Sequence, residues 1–448
     1  METYINKLLQ NATNTKDSEL EAILTRADKL EGLSHQEVAA LLATTNQDYI
    51  KRIFEIAGRI KKRIYGDRIV LFAPLYISDY CVNNCTYCGF KADKHQKRRK
   101  LTQAEVKAET AALERMGHKR LALEAGEDPK NCPLDYVLEC IDTIYTTSDI
   151  RRVNVNIAAL DVPDFKRLNN ADIGTYVLFQ ETYHRPTYEK VHKGPKADYD
   201  FHLRAFERAM EAGIDDVGAG VLFGLYDYKY EVLALMLHNE ELEKQFGVGF
   251  HTISVPRLRS VPQLRDANSG ISDDDFLKLV AVLRMAVPFT GMIVSTRESP
   301  DMRRKLINMG ISQMSAGSRT TVGGYNEISL GTAGPQFSLA DHRGAGEIFY
   351  WLMEEDILPS FCTACYRSNR KGDRFMKLAK SGEIKNVCIP NSLLTLKEYA
   401  LDYGDDRFKR LADTLIDQRL RAMDNKKTEE LLKLKLSDLI NGERDIYI

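Results

Sequence analysis

The chain has 448 residues, 44% of them hydrophobic, which is enough to bury a large core in one or more domains. Its 63 Lys and Arg against 64 Asp and Glu leave a formal net charge of −1, so no general attraction to nucleic acid or to an anionic membrane is expected. The sequence lacks an apolar run of about 18 residues and begins with a polar segment, which predicts a cytoplasmic protein without a transmembrane helix or a signal peptide.

Segment 1–66 predicts a helical extension. Gly32 ends one helix, and Ser34 with Glu37 has the pattern of a capping box that opens the next one. Apolar residues follow at helical spacing, and no side chain suited to catalysis stands out.

Segment 67–344 alternates short β-branched or apolar runs with longer amphipathic stretches, as βαβ units do. Helix starts are indicated by Thr102 with Glu105, by Ser272 before three aspartates, and by Ser338 with Asp341. Eight strands with eight helices predict an α/β fold of the TIM type, a (β/α)8 barrel. The eight runs are 68–78, 120–125, 152–158, 175–180, 215–222, 249–255, 292–295 and 313–316.

The residues that follow the predicted strands are polar, which is unusual for a core. In a TIM barrel the chemistry lies at the C-terminal ends of the strands, so these residues are the candidates for the site. They are the segment Cys81 to Cys88, then Glu124, Glu127, Glu181, Gly224, His251, Arg297, Ser318 and Arg319.

Segment 345–448 no longer alternates and predicts a C-terminal helical domain, with helices over 347–358, 407–423 and 428–439. It carries a second group of cysteines. The basic stretch 91–100, within the barrel segment, is most simply a solvated loop.

The eight cysteines fall into two sets of three, with Cys132 and Cys140 left over as packed or loop residues. Without an export signal, such sets indicate metal-binding or catalytic thiolates and not disulfides. Cys81, Cys85 and Cys88 follow the first strand. Iron–sulfur cubanes normally take four thiolates, so three leave one iron open to a small molecule. A structural zinc site would need a fourth Cys or His at short spacing, and none follows.

The spacing CxxxCxxC, with Tyr87 before the third cysteine, resembles the radical S-adenosylmethionine (SAM) superfamily. The resemblance implies a 4Fe-4S cluster on these cysteines, SAM bound to its open iron, and an adenine contact from Tyr87. The family's Gly-Gly-Glu stretch, which binds the methionyl amine, corresponds to Ala125-Gly126-Glu127, with alanine in place of the first glycine. Glu127 is therefore the candidate ligand of the amine, and an exposed loop carboxylate is the alternative.

Cys362, Cys365 and Cys388 form the second set. Three thiolates again argue against a closed four-cysteine site and for a second 4Fe-4S cluster with an open iron, although a purely structural cluster is the alternative. Together with segments 179–192, 209–231, 251–258, 295–299 and 315–325, both sets closely resemble the tyrosine lyases that mature iron-iron hydrogenase, over essentially the whole chain.

This closer resemblance implies a reaction. SAM is cleaved reductively, the resulting radical takes hydrogen from the amino group of L-tyrosine, and the Cα–Cβ bond breaks to give p-cresol and dehydroglycine. The small fragment becomes CO and cyanide at the second cluster, on an additional labile iron that carries an L-cysteine ligand. The implied partners are an electron donor such as ferredoxin or flavodoxin and the other hydrogenase maturation proteins, without nucleic acid or membrane.

Roles for individual side chains follow partly from the resemblance and partly from chemistry. The resemblance makes His251, predicted at the end of the sixth strand, a ligand of the additional iron; a buried, hydrogen-bonded histidine is the alternative. Arg297 offers a planar fork for the tyrosine carboxylate, and the alternative is a structural salt bridge with Glu298 or a neighbour. Ser318 and Arg319 are similar catalytic candidates.

Three more residues are candidates for binding SAM. Glu181 follows the fourth strand and could accept hydrogen bonds from the ribose hydroxyls. Arg204 and Arg208, on the next helix, compete for the SAM carboxylate, and the sequence does not separate them.

Other functions remain open at this point. A tyrosine lyase of thiazole biosynthesis shares the barrel motifs but lacks the C-terminal cysteine triad. An iron–sulfur electron carrier or scaffold belongs to a different class, and it would leave Glu127 and the barrel lumen unexplained. A nucleic-acid modifier is disfavoured by the neutral charge and by the lack of an RNA-binding module.

Overall fold

The computed structural model describes residues 1–258, 270–326 and 334–448. Eight parallel strands form the centre. β1 pairs with β2 along one edge and with β8 along the other, so the sheet closes on itself and the predicted TIM barrel is confirmed. The strands are β1 (Arg68–Ser78), β2 (Arg120–Ala125), β3 (Arg152–Asn156), β4 (Tyr176–Glu181), β5 (Val217–Val221), β6 (Thr252–Ser254), β7 (Gly291–Val294) and β8 (Gln313–Ser315).

The N-terminal segment forms four helices, α1 (Glu2–Ala12), α2 (Asp17–Asp28), α3 (His35–Ala43) and α4 (Gln47–Tyr65). The capping box predicted for α3 is present, because Ser34 and Glu37 each accept a hydrogen bond from the other's backbone N–H. The buried Lys278, in a helix of the barrel, donates from Nζ to the carbonyl of Leu42 at 2.8 Å, which ties the extension to the barrel.

Nine helices of the described residues surround the strands. Two predicted caps are confirmed: Thr102 Oγ1 accepts from the N–H of Glu105, and Ser272 Oγ accepts from the N–H of Asp275. The helices are α5 (Gln103–Arg115), α6 (Leu134–Thr147), α7 (Val162–Asn170), α8 (Arg185–Val191), α9 (Tyr199–Leu203), α10 (Ala205–Glu211), α11 (Tyr228–Phe246), α12 (Asp273–Ala286) and α13 (Pro300–Met309).

The cap predicted at Ser338 and Asp341 is wrong. The next helix, α14 (Ala345–Glu354), begins after Gly344, whose N–H donates to Glu347 Oε2 at 2.7 Å. Asp341 is fully buried and is used instead in ion pairs with Arg303 and Arg343. A buried carboxylate between two guanidinium groups is not available to cap a helix.

The C-terminal segment adds a strand to the barrel before it becomes helical. β9 (Leu358–Ser360) pairs in parallel with Arg68, Ile69 and Val70 at the start of β1, and Val70 also pairs with Gln313 of β8. The helix predicted over 347–358 therefore ends early, at Glu354, because a turn with Asp356 at a φ of +57° leads into β9. The remaining helices are α15 (Ala364–Arg367), α16 (Gly372–Ser381), α17 (Ile384–Tyr403), α18 (Asp406–Arg421) and α19 (Lys426–Ile440).

Helix α17 was not predicted, because it contains Pro390. Proline removes one backbone donor and normally interrupts a helical pattern. Buried packing against β9 and α19 compensates here. None of the described helices is long and apolar enough to cross a membrane.

Candidate active site

The first cysteine loop leaves the C-terminal end of β1 and is held from two sides. The N–H of Val82 donates to the carbonyl of Glu127 at 2.8 Å, and the N–H of Asn84 donates to the carbonyl of Lys193 at 2.9 Å. Backbone hydrogen bonds to two separate segments fix a loop that has no regular structure of its own.

The three cysteines Cys81, Cys85 and Cys88 line one cavity at this end of the barrel. Burial raises the pKa of Cys85 to about 12 and that of Cys88 to about 11, so bare thiolates are disfavoured there. Iron ions supply the positive charge that stabilises such buried thiolates. The donor set therefore fits an iron–sulfur cluster.

Gly126 lets the loop after β2 approach the cysteine loop. Its N–H donates to the carbonyl of Ser78 at 3.0 Å. A Cβ at this position would lie 2.3 Å from the carbonyl oxygen of Tyr80 and 3.1 Å from Cβ of Cys81. Alanine is tolerated at the preceding position, Ala125, but a side chain at Gly126 would displace the backbone that carries the cysteines.

Two of the predicted SAM ligands line the same cavity. The Tyr87 hydroxyl lies 2.8 Å from His192 Nε2, which orients the ring beside the cysteines. Glu127 accepts a hydrogen bond from the side-chain amide of Asn83. Both residues lie where the sequence places them, next to the loop.

Glu181 also lines the cavity, in an unusual backbone conformation. Its φ is +66°, and the register between β4 and β5 shifts just before it, which turns the carboxylate out of the regular strand. Lys196 Nζ lies 3.0 Å from Glu181 Oε1. Burial alone would lower the pKa of Lys196, but the Glu181 carboxylate raises it well above its usual range. Sequence reasoning missed Lys196, which stands in an ordinary polar loop.

The two arginines predicted to compete for the SAM carboxylate do not reach this cavity. Arg208 donates to the carbonyls of Leu160 and Phe201, both at 2.8 Å, and stacks over the Phe201 ring. Arg204 is exposed at the junction of α9 and α10. Neither arginine lines the cavity, so the assignment of the SAM carboxylate to one of them stays a prediction. Lys196 and Arg297 are the cations that line it.

Arg297 and Ser318 line the cavity, whereas Arg319 does not. The Arg297 guanidinium lies 3.6 Å from the centre of the Phe337 ring, which restrains it. The buried Ser318 Oγ has no hydrogen-bond partner among the described residues. Arg319 is exposed, one residue further along the same loop. Glu298, which the alternative names as a salt-bridge partner of Arg297, pairs with Arg257 at 2.6 Å.

Glu124 also lines the cavity. The sequence predicted its position at a strand end but no role for it. Its Oε2 accepts a hydrogen bond from the Asn156 amide at 2.8 Å. Burial raises the pKa of Glu124 to about 8, against the opposing effects of Asn156 and Arg297. The carboxyl group is therefore largely protonated at neutral pH.

The second cysteine set lies at the opposite end of the barrel. Cys362, Cys365 and Cys388 line a second cavity together with residues at the N-terminal ends of the strands, among them Arg68 and Arg120. A hydrogen bond from Cys365 lowers the pKa of Cys388 and raises that of Cys365. The thiols also raise the pKa of the buried Arg68, against the effect of its burial. Two cations beside three thiols fit a negatively charged thiolate site.

His251 lies in this second cavity, and its predicted position at the end of the sixth strand is wrong. It precedes β6, whose N-terminal end faces the second cysteine set, and its backbone N–H donates to the carbonyl of Val217. Burial lowers its pKa, which keeps the imidazole neutral, the form that binds metals. Nδ1 lies 3.4 Å from Asp216 Oδ1. Among the described residues, no three His, Cys, Asp or Glu side chains are grouped closely enough for a single metal ion.

The two cavities share one wall. Gln313, the first residue of β8, lines both of them. The first cavity reaches down to it through lumen residues such as Asn154 and Phe179. The two cavities are therefore neighbours inside the barrel, with Gln313 between them.

Replacing Gly126 by alanine should displace the first cysteine loop, because the added Cβ has no room against Tyr80. We expect a lower melting temperature and a loss of reconstituted iron from the first set only, measured by thermal denaturation and iron analysis. Gly346→Ala is the matched control, since a Cβ there meets nothing within 4 Å. Full iron binding by Gly126→Ala would contradict the close-approach argument.

Replacing Glu124 by glutamine should change how stability depends on pH. A buried carboxyl with a folded pKa of about 8, above its ordinary 4.5, lowers stability as pH rises between those values. Each pKa unit corresponds to about 1.4 kcal/mol. The wild type should therefore lose more unfolding free energy than Glu124→Gln between pH of about 5 and about 8 in urea titrations. Exposed Glu211→Gln should follow the wild type, and parallel curves for all three proteins would contradict the assignment.

Comparison with known proteins agrees with this geometry. Residues 75–238 match the radical SAM superfamily, whose members use a 4Fe-4S cluster and SAM, and residues 254–357 match the biotin and thiamin synthesis associated domain. A 2-iminoacetate synthase from Escherichia coli (strain K12) is 29% identical over 342 residues, which are 75% of this chain and 89% of that protein.

Solved structures extend the match over the whole chain. A crystal structure of HydG, a maturase of the FeFe-hydrogenase, is 53% identical, covers 100% of this chain and 99% of its own, and superimposes with a TM-score of 0.96. HydG from Carboxydothermus hydrogenoformans, also an FeFe-hydrogenase maturase, is 39% identical, with 97% and 96% covered and a TM-score of 0.83. The chain thus belongs to the HydG family of radical SAM maturases of FeFe-hydrogenase.

Proposed function

We propose that this maturase cleaves L-tyrosine to p-cresol and dehydroglycine at one end of its barrel and converts the fragment to CO and cyanide at the other end, as a precursor of the hydrogenase H-cluster. The observation that carries the proposal is the pair of three-cysteine cavities at opposite ends of one barrel, both lined by Gln313. A lyase that only releases the imino acid needs the first cavity alone. The name of the 2-iminoacetate synthase relative supports the first step, because 2-iminoacetate and dehydroglycine are the same imine.

At the first cavity, Cys81, Cys85 and Cys88 would hold a 4Fe-4S cluster, which supplies reductive cleavage of SAM when bound. Glu127 is suited to accept hydrogen bonds from the methionyl amine, and Tyr87 to contact the adenine. Glu181 accepts from Lys196 through Oε1, which leaves its second oxygen for a ribose hydroxyl.

Arg297 and Ser318 are suited to hold the tyrosine carboxylate. Their side chains line the first cavity at the ends of neighbouring strands, β7 and β8. A guanidinium held against Phe337 presents a pre-oriented fork, and the Ser318 hydroxyl is available because it has no other partner among the described residues. Fixing the carboxylate fixes the adjacent amino group, from which hydrogen is abstracted. The closed lumen keeps water away from the radical.

At the second cavity, Cys362, Cys365 and Cys388 would hold the second 4Fe-4S cluster, with Arg68 and Arg120 offsetting the thiolate charge. His251 would bind the additional labile iron, which also carries L-cysteine and receives the diatomic products. Its neutral imidazole lies beside Asp216, in the same cavity as the cysteines.

Replacing Cys362 and Cys365 together by alanine tests the division of labour. Tyrosine cleavage depends only on the first cavity, so p-cresol should still form, whereas iron-bound CO should vanish. Cys85→Ala should abolish 5'-deoxyadenosine, p-cresol and CO alike. His251→Ala should be milder, since losing one ligand or its support commonly costs about 10- to 100-fold in metal affinity. Chromatography of p-cresol and stopped-flow infrared of the CO stretch measure the two steps.

Two results would refute the two-site mechanism. One is normal iron-bound CO from the Cys362/Cys365 variant. The other is complete loss of p-cresol from that variant while it remains folded, which would reassign the second set as structural.

Replacing Arg297 by alanine should weaken tyrosine binding. A charge-assisted pair is worth about 1.5 to 3 kcal/mol, which corresponds to about 10- to 150-fold in affinity. Arg319→Ala is the matched control, because that arginine is exposed outside the cavity and should leave affinity unchanged. Tyrosine titrations of the reconstituted enzyme measure both. A larger loss in Arg319→Ala than in Arg297→Ala would move the role to Arg319.

A further inference from the structure

The cysteine loop of the first cavity is also part of the protein surface. Val82, directly after Cys81, is 41% exposed. Two other segments lie against this loop: the N–H of Ala92 donates to the carbonyl of Asn83 at 2.8 Å, and the N–H of Asn84 donates to the carbonyl of Lys193 at 2.9 Å. The three segments form one continuous surface beside the cysteines, here named the loop face.

The loop face carries small apolar residues and an excess of basic ones. Val82, Ala92, Gly194 and Pro195 are exposed on it. Within 91–97 and 189–195 the exposed basic residues are His95, Lys97, Lys190 and Lys193, with Lys91 and Lys94 half-buried, and the exposed acidic residues are Asp93 and Glu189. Asp93 pairs with Lys91 at 3.2 Å. Neither Lys97 nor Lys193 has an ion-pair partner among the described residues, so their charges face solvent.

The basic stretch 91–100, expected to be a solvated loop, divides into two parts. Its arginines fold inward: Arg98 donates to the carbonyls of Asp79 and Phe90 at 2.7 and 2.8 Å, and Arg99 pairs with Glu105 at 2.6 Å. The exposed Lys97 stays on the surface. The arginines thus stabilise the conformation of the loop, whereas the exposed Lys97 is accessible to a binding partner.

We propose that the loop face is the docking site for an acidic one-electron carrier protein. The inference rests on the proposed function only in that SAM cleavage needs an electron at the first cysteine set. The carrier would be oxidised by one electron, and Cys81, Cys85 and Cys88 would hold the cluster that supplies this electron for the reductive cleavage of SAM to methionine and a 5'-deoxyadenosyl radical.

Charge and shape both favour this partner. The chain as a whole carries a net charge of −1, so it does not steer an acidic protein, and any attraction has to come from a local patch. Basic residues on such a surface steer an acidic partner into register, while small apolar residues exclude water at the contact. Val82 directly follows Cys81, so a carrier docked on Val82 would lie close to a ligand of the cluster. The electron would then have a short distance to travel.

The test is the Lys97→Glu/Lys193→Glu double variant of the reconstituted enzyme, with reduced flavodoxin as the donor. We expect the apparent KM for flavodoxin in 5'-deoxyadenosine formation to rise about 10-fold at low salt, and its dependence on salt to weaken. The rate with dithionite should stay within about twofold of the wild type, because that small reductant needs no docking surface. Lys51→Glu/Lys427→Glu, which reverses two exposed charges on α4 and α19, is the matched control and should change neither rate.

An unchanged KM for flavodoxin in the double variant would overturn the proposal. If the variant lost activity with both reductants, Lys97→Gln/Lys193→Gln would decide: a raised KM with normal dithionite activity supports docking, and an unchanged KM rejects it. Calorimetric binding of oxidised flavodoxin needs no turnover. Weaker binding by the double variant would support the docking site even if tyrosine cleavage failed, and equal binding would reject it even if cleavage succeeded.

Discussion

The organisation of the molecule depends on the parallel pairing along one long strand. β1 has 11 residues and begins at Arg68, in the second cavity, and ends at Ser78, just before the first cysteine loop. At about 3.3 Å per residue, its ends lie roughly 33 Å apart. β8 pairs with its middle, and β2 and β9 share its other edge at different heights. The two cysteine sets are therefore held at opposite ends of one rigid element.

Closure of the sheet then decides what can move between the two ends. Because the eight strands close without an open edge, a molecule that crossed the described barrel internally would have to pass through the lumen. Gln313 lies there, on the walls of both cavities. Under the proposed function, a fragment released beside the first cysteines would be surrounded by strand residues of the lumen. The same closure places the polar groups Glu124 and Asn156 in a desolvated space, where a carboxyl is held protonated instead of ionised.

Burial creates a similar electrostatic problem at both cysteine sets, and the chain answers it differently. In the first set burial raises the pKa of Cys85 and Cys88, and Lys196, which is paired with Glu181, opposes this effect. In the second set, Arg68 and Arg120, at the starts of β1 and β2, line the cavity with the cysteines. Under the proposed function, Glu181 and Lys196 would serve a zwitterionic ligand at the first set, and the two arginines would offset thiolate charge at the second.

The sequence by itself determined the features that depend on short-range chemistry. The spacing of Cys81, Cys85 and Cys88 on one loop and the eight apolar runs each involve residues close together in the chain, so pattern alone predicts them. The same holds for the helix caps at Ser34, Thr102 and Ser272. The register of those runs against one another was decided by tertiary packing.

Only the structure could therefore decide which end of β6 carries His251, that Lys196 and not Arg204 or Arg208 reaches Glu181, and that β9 joins β1. Each of these depends on which face of an element turns toward a neighbour distant in sequence. A shift of one residue turns a strand side chain to the opposite face, and turns a helix side chain by about 100°, without changing the local pattern.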